Sequence, residues 1–238
     1  MSLVVGAVAL IASTLAGVTG FGGAAVLLPI LVFVFGARDS VPILTVAQLI
    51  GNGSRAWFNR RELQWRVVGW FSLGGVPLAL IGGALFARAP LAWLTRLLGV
   101  FLLLMVAWRR LRIRTGLRPP LKAFALIGAG GSFLSAFIGS AGPLMAPFFL
   151  AYGLVKGAYI GTEALCTVVM HVGKLVAYRR FDVLAGTSIA AGLAIGPIMV
   201  VGSWLGKRIV ERLSERIFVL LIEGVMTAAG LLFVIRGH

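Results

Sequence analysis

A glycine-rich break inside an apolar stretch occurs twice in this chain, and the residues that follow each break are duplicated too. The first copy is LAGVTGFGGAAVLLP over residues 15–29 and the second is LSAFIGSAGPLMAP over 134–147, so Gly20 and Gly23 recur 119 positions later as Gly139 and Gly142. Gln48, Asn52, Arg55 and Arg60-Arg61 recur at the same offset as Thr167, His171, Lys174 and Arg179-Arg180. Pro77, Gly82, Arg88 and Arg96 recur at an offset of 120, as Pro197, Gly202, Arg208 and Arg216. Internal duplication with matched interrupted helices points to a secondary transporter, and the interruptions point to where its substrate binds.

The surrounding residues fix the solvent in which such a chain folds. Hydrophobic residues make up 60% of 238 positions and charged ones only 12%, with a mean hydropathy of +1.03; soluble domains carry about 25% charged residues. The chain reads as an integral membrane protein. Its net charge of +15 suggests nucleic acid at first sight, but the cations lie in short runs between apolar segments, as expected for loops that orient a polytopic protein. Nucleic acid is therefore not an expected partner. A single cysteine, Cys166, rules out an internal disulfide and a cysteine-based metal site. No Lys or Arg precedes Arg38, so the first apolar stretch lacks the charged start of a cleaved signal peptide and reads as a retained helix.

Apolar segments fall near 3–19, 24–35, 41–58, 66–87 and 91–108, and again near 123–138, 143–155, 158–178, 184–205 and 217–235. The expected fold is all-α: a polytopic membrane protein of two homologous, inverted repeats, each with a glycine-broken or short helix. Residues 1–108 form the first transmembrane repeat, 109–122 a basic cytoplasmic linker and 123–238 the second repeat. Segments 24–35 and 143–155 are too short, at about 1.5 Å per residue, to cross a hydrocarbon core about 30 Å thick, so each reads as a half-helix or a strongly displaced span, sheltered by protein. The linker from Arg109 to Lys122 holds six cations and a Pro119-Pro120 stop. Trp57, Trp65, Trp93 and Trp108 fall at segment ends, where tryptophan anchors a helix at the membrane interface.

Counting cations on each side selects an orientation. If the halves are inverted, loops 59–66, 109–122, 153–158 and 206–216 share one side and hold 14 Lys and Arg against six on the other. Parallel halves would split them about 12 to eight. The inverted arrangement has the stronger bias, and it puts the linker in the cytoplasm with Met1 and His238 outside.

The breaks make chemical sense as anion sites. A helix that starts inside a membrane aims unpaired N–H groups and a partial positive charge at whatever precedes it, and glycine lets a ligand approach that backbone closely. Gly20, Gly22, Gly23, Gly139, Ser140 and Gly142 are thus candidate substrate-binding positions, and Pro143 suits a helix start. The competing role is close helix packing by small residues. Gln48, Asn52 and Arg55 stand at i, i+4 and i+7, as do Thr167, His171 and Lys174, so each trio lines one helix face and is a candidate for contact with substrate. Arg55 and Lys174 lie near segment ends, where a long cation can instead snorkel to the headgroups; Asn52 and His171 lie nearer the middle.

Glu163 shares the stripe of Thr167 and His171, which makes it the candidate for proton coupling, whereas Glu223 has no polar row around it. The first-half counterpart of Glu163 is Leu44, so such a role is asymmetric. The alternative is a glutamate near a helix start that favours the N-terminal dipole.

These paired breaks, the basic FNRREL run after the third segment, and two copies of similar length resemble the TauE/SafE sulfite exporter family of bacterial membrane permeases over roughly residues 4–235. In this chain the breaks read Gly20-Phe21-Gly22-Gly23-Ala24 and Gly139-Ser140-Ala141-Gly142-Pro143, both departing from the family's fuller glycine run. The resemblance implies a multi-pass protein of the bacterial inner membrane that moves a small sulfur-containing anion, such as sulfite or an organosulfonate, usually outward. The partners expected are that anionic substrate and the lipid bilayer, and a homodimer is compatible with the chain. No cofactor and no metal are expected. An anion channel is the nearest alternative. A membrane-embedded enzyme is the more distant one, since there is no HExxH motif, no acidic cluster and no nucleophile with a nearby base, and the two histidines stand far apart.

Overall fold

The computed structural model describes residues 3–21, 23–88, 118–139, 141–214, 216–217 and 220, and among them the chain forms seven helices and no strand. These are α1 (Leu3–Thr19), α2 (Gly23–Phe58), α3 (Trp65–Arg88), α4 (Ala123–Ile138), α5 (Gly142–Ala151), α6 (Lys156–Arg180) and α7 (Gly186–Glu211). The sequence dictates where the first and fourth stop. Gly20 and Gly139 have φ of 81° and 79°, left-handed values that glycine adopts without strain, and their N–H groups close the last turns on Ala16 O and Ser135 O at 2.8 and 2.9 Å. A new helix then begins at Gly23 and at Gly142, with Pro143 in the first turn of α5, where its missing N–H costs nothing.

Helix α2 contains an elbow. Gly36 takes φ 79° and ψ 162° inside it, dividing a short first limb from a long second one. Segments 24–35 and 41–58 of the sequence reading are therefore joined. Arg38 and Asp39 lie in helix rather than in a loop. Segment 91–108, nearly all of segment 217–235, most of the basic linker, Trp93, Trp108, Gly22, Ser140 and Glu223 lie outside the described residues.

The helices pair across the duplication. α1 lies along α7, and α3 lies along α4. Small residues permit both contacts: a Cβ on Gly17 would sit 3.0 Å from Gly206 Cα, and one on Gly82 would sit 2.9 Å from Ala136 Cβ and 3.0 Å from Phe133 O. α6 packs against both α3 and the second limb of α2, which puts it at the centre. One apolar cluster, built on Phe71, Phe124, Phe149 and Tyr159, joins α3 to α6; a second, built on Leu27, Leu31, Leu44 and Met199, joins α1, α2 and α7.

Contacts at the helix ends define two faces. On one, Gln64 N–H donates to Thr162 Oγ1 at 3.0 Å, Lys207 Nζ donates to Phe58 O, and Arg118 approaches Gly153. On the other, the Arg88 guanidinium lies 5.2 Å from the Phe181 ring, and Val41 packs with Val183 and Leu184. α3, α6 and α7 are long and apolar enough to cross a membrane. α1, at 17 residues, is about 25 Å long.

Candidate functional site

A helix stopped by a left-handed glycine leaves its last carbonyls without intrahelical donors. In each half the same sequence position donates from another helix to the stop glycine's own carbonyl and, beside that glycine's N–H, to the carbonyl four residues earlier. Arg55, on α2, donates through Nη1 to Ala16 O and Gly20 O, both at 2.7 Å. Lys174, on α6, donates through Nζ to Ser135 O at 3.2 Å, Ser135 Oγ at 3.0 Å and Gly139 O at 3.4 Å. Residues 16, 20 and 55 in the first half correspond to 135, 139 and 174 in the second. Both cations are buried, 4% and 0% exposed, so neither snorkels. Each carries favourable charge to the negative end of a helix.

The first break opens onto a narrow polar pocket with about 10 Å³ of free space, room for about one water molecule. Ala16, Gly20, Phe21, Gly23 and Ala24 supply one wall, Gln48, Asn52 and Arg55 another, and Gly142, Glu163, Thr167 and His171 the rest. Helix spacing explains the second wall: Asn52 Nδ2 donates to Gln48 O at 2.8 Å and to Gln48 Oε1 at 3.3 Å, while Asn52 Oδ1 accepts from Arg55 Nη2. Asn52 therefore fixes the guanidinium as well as lining the space. On the facing helix, Thr167 Oγ1 donates to Glu163 Oε1 at 3.1 Å. Glu163 Oε2 and His171 Nδ1 are buried without a hydrogen-bond partner among the described residues. Buried polar atoms left so are costly in a finished core and ordinary in a binding site awaiting a ligand.

Gly20, Gly23, Gln48, Asn52, Arg55, Gly142, Glu163, Thr167 and His171 thus share one cavity. Lys174 and Gly139 do not line it: the Lys174 ammonium is turned to the end of α4, and the open side of Gly139 faces Leu44 Cδ2. Gly23 also serves packing, since a Cβ there would lie 2.8 Å from Ala12 O. Sequence reasoning passed over Phe21, whose Cβ would meet a side chain at Gly142 at 2.8 Å, and Tyr159, whose ring covers Gly20. Phe21 carries a signal in being the one large side chain within the first break. Tyr159 carries one in standing four residues before Glu163, one turn along the same helix. The carbonyl acceptors of Arg55 and Lys174 have no side-chain signature.

The family model described as sulfite exporter TauE/SafE matches residues 5–233, nearly the whole chain. The chain belongs to the TauE/SafE family. It is therefore a membrane transporter by family, with export of sulfite as the activity that names the group. No curated protein and no solved structure is similar enough to this chain to add a relative.

Proposed function

We propose that this TauE/SafE chain is a secondary transporter that exports a small sulfur-containing anion, such as sulfite or an organosulfonate, across the bacterial inner membrane. It works by alternating access around the buried cavity between two inverted repeats in a multi-pass protein, with the substrate bound near the bilayer midplane. One observation carries the reading: polar residues of both halves meet the first glycine break in a single buried pocket, which the buried Arg55 and the first residues of α2 also line. An oxyanion supplies the acceptors that these donors lack. Support for inversion comes from the helix directions. α1 runs alongside α7 from the Phe181 end, whereas α4 runs alongside α3 from the Gln64 end.

Purified protein is tested by thermal shift with sulfite, sulfoacetate, taurine, thiosulfate, sulfate and carboxylates, followed by counterflow in proteoliposomes loaded with the best anion. Stabilisation by sulfite or a sulfonate together with saturable counterflow is expected. Flux without counterflow turns the assignment to a channel, and chemical turnover without transport turns it to an enzyme. Cysteine-accessibility labelling in intact cells tests the orientation: residue 62 and the 109–122 linker are expected to label from the cytoplasm, and a cytoplasmic C-terminus sinks the inverted topology.

A further inference from the structure

The cavity holds more than a cation. Glu163 stands in it across from Arg55, 2% exposed, with one oxygen engaged by Thr167 and the other, Oε2, without a hydrogen-bond partner among the described residues. The charged and titratable groups around it are few. Arg55 faces it from α2; Tyr159, Cys166 and His171 accompany it on α6; α1 and α5 present backbone and apolar side chains. Glu163 makes no ion pair among the described residues. An anion entering this space meets the guanidinium and a free carboxyl oxygen at once.

We propose that the site binds its anion only together with a proton, which lies between an anion oxygen and Glu163 Oε2. This rests on the transporter reading above and names the species that the cavity takes. The physics is a choice between two like charges and a hydrogen bond. In an enclosed space the repulsion between a carboxylate and an oxyanion outweighs a single donated hydrogen bond, so the unprotonated pair is excluded. With one proton present, the O–H on either partner donates to the oxygen of the other, and the unpaired Oε2 is satisfied. Arg55 then balances the one remaining negative charge. His171 Nδ1, also without a partner among the described residues, stands two turns along the same helix stripe and offers the ligand a further polar neighbour. The proton comes from water on the loading side and leaves with the anion on the other.

Methanesulfonate makes the test clean, because it has no titratable proton of its own near neutral pH, so any proton taken up goes to the protein. Purified protein in weak buffer, at an alkaline pH where the carboxyl is ionised before the anion arrives and followed by a pH indicator during titration with methanesulfonate, is expected to take up about one proton per anion bound, with affinity falling about tenfold per pH unit in that range. Glu163→Gln, which keeps a donor and loses the charge, is expected to bind methanesulfonate without proton uptake and with a flat pH profile. Glu163→Asp is expected to restore the uptake, which separates the proton from any effect of the substitution on folding. Binding to wild-type protein without proton uptake overturns the inference and leaves the transporter reading intact; so does proton uptake that persists in Glu163→Gln. Absence of any binding by methanesulfonate, sulfite and sulfate overturns both.

Discussion

The two glycine breaks share a backbone and differ in what faces them. Both end a helix at a left-handed glycine, both leave two carbonyls to a cation from a later helix, and both begin a new helix three residues on. Opposite Gly20 stand Tyr159 and a cavity lined by Glu163, Thr167 and His171; opposite Gly139 stand the methyl groups of Leu44 and Leu28. The facing residues come from the other half in each case. Leu44 occupies the position that corresponds to Glu163, so one difference between the halves makes one break polar and fills the other. The cations differ to match. Lys174 meets three acceptors, all at the end of α4, which exhausts an ammonium; Arg55 bonds two carbonyls and Asn52 and still has N–H groups to spare. On the proposed reading the duplicated backbone serves two purposes: structural support at Gly139 and a binding surface at the first break, to which Gly142 adds one wall.

The largest effect expected from breaking this contrast is that of Arg55→Leu. It removes the one cation among the described residues that line the pocket, and the donor to Ala16 O and Gly20 O, so anion affinity is expected to fall by more than about a hundredfold, roughly 2.8 kcal/mol. Isothermal titration on monodisperse protein reads it. Next is Gly142→Val. The added side chain meets Phe21 and crowds the approach to the cavity, and loss of one donated hydrogen bond to a charged group, roughly 1.5–3 kcal/mol, weakens binding about ten- to a hundredfold. A folded variant with wild-type affinity would remove the second break from the site altogether.

Asn52→Leu and His171→Leu are expected to lower transport in proteoliposomes by about tenfold at equal expression, corresponding to about 1.4 kcal/mol. Arg38→Gln and Arg88→Gln, outside the cavity, are expected to leave it unchanged. If all four behave alike, the polar row is helix packing. The smallest effect on binding is expected from Lys174→Met. It strips a buried donor from Ser135 and Gly139, so thermal denaturation is expected to register a loss of roughly 1–3 kcal/mol, while anion affinity stays within about threefold of wild type. A larger loss of affinity would bring the Gly139 end of the second break, and not Gly142 alone, into the site and erase the asymmetry.

Residue spacing revealed much of this. Gly20 and Gly139 are readable as stops because each interrupts an apolar run, and the i, i+4, i+7 trios are readable as single faces because helix geometry admits nothing else. The elbow at Gly36 was hidden, because Arg38-Asp39 resembles a loop, although helical hydrogen bonding resumes at once. Periodicity marks a buried face without naming its partner, so the pairing of α1 with α7 and of α3 with α4 left no trace in either repeat alone. The grips of Arg55 and Lys174 escaped for a different reason. Their acceptors are main-chain oxygens, present at every position, and only the end of a helix makes particular ones available.

Because α1 finds its partner in α7, the protein's order of synthesis matters. Gly17 leaves the ribosome long before Gly206 exists, and at about 5–20 residues per second the interval is roughly 10–40 s. Throughout it, the small-residue stripe that will meet α7 has only lipid or transient neighbours against it. α3 waits far less, since α4 follows soon after it. The order of synthesis therefore makes α4 available to α3 well before α7 is available to α1.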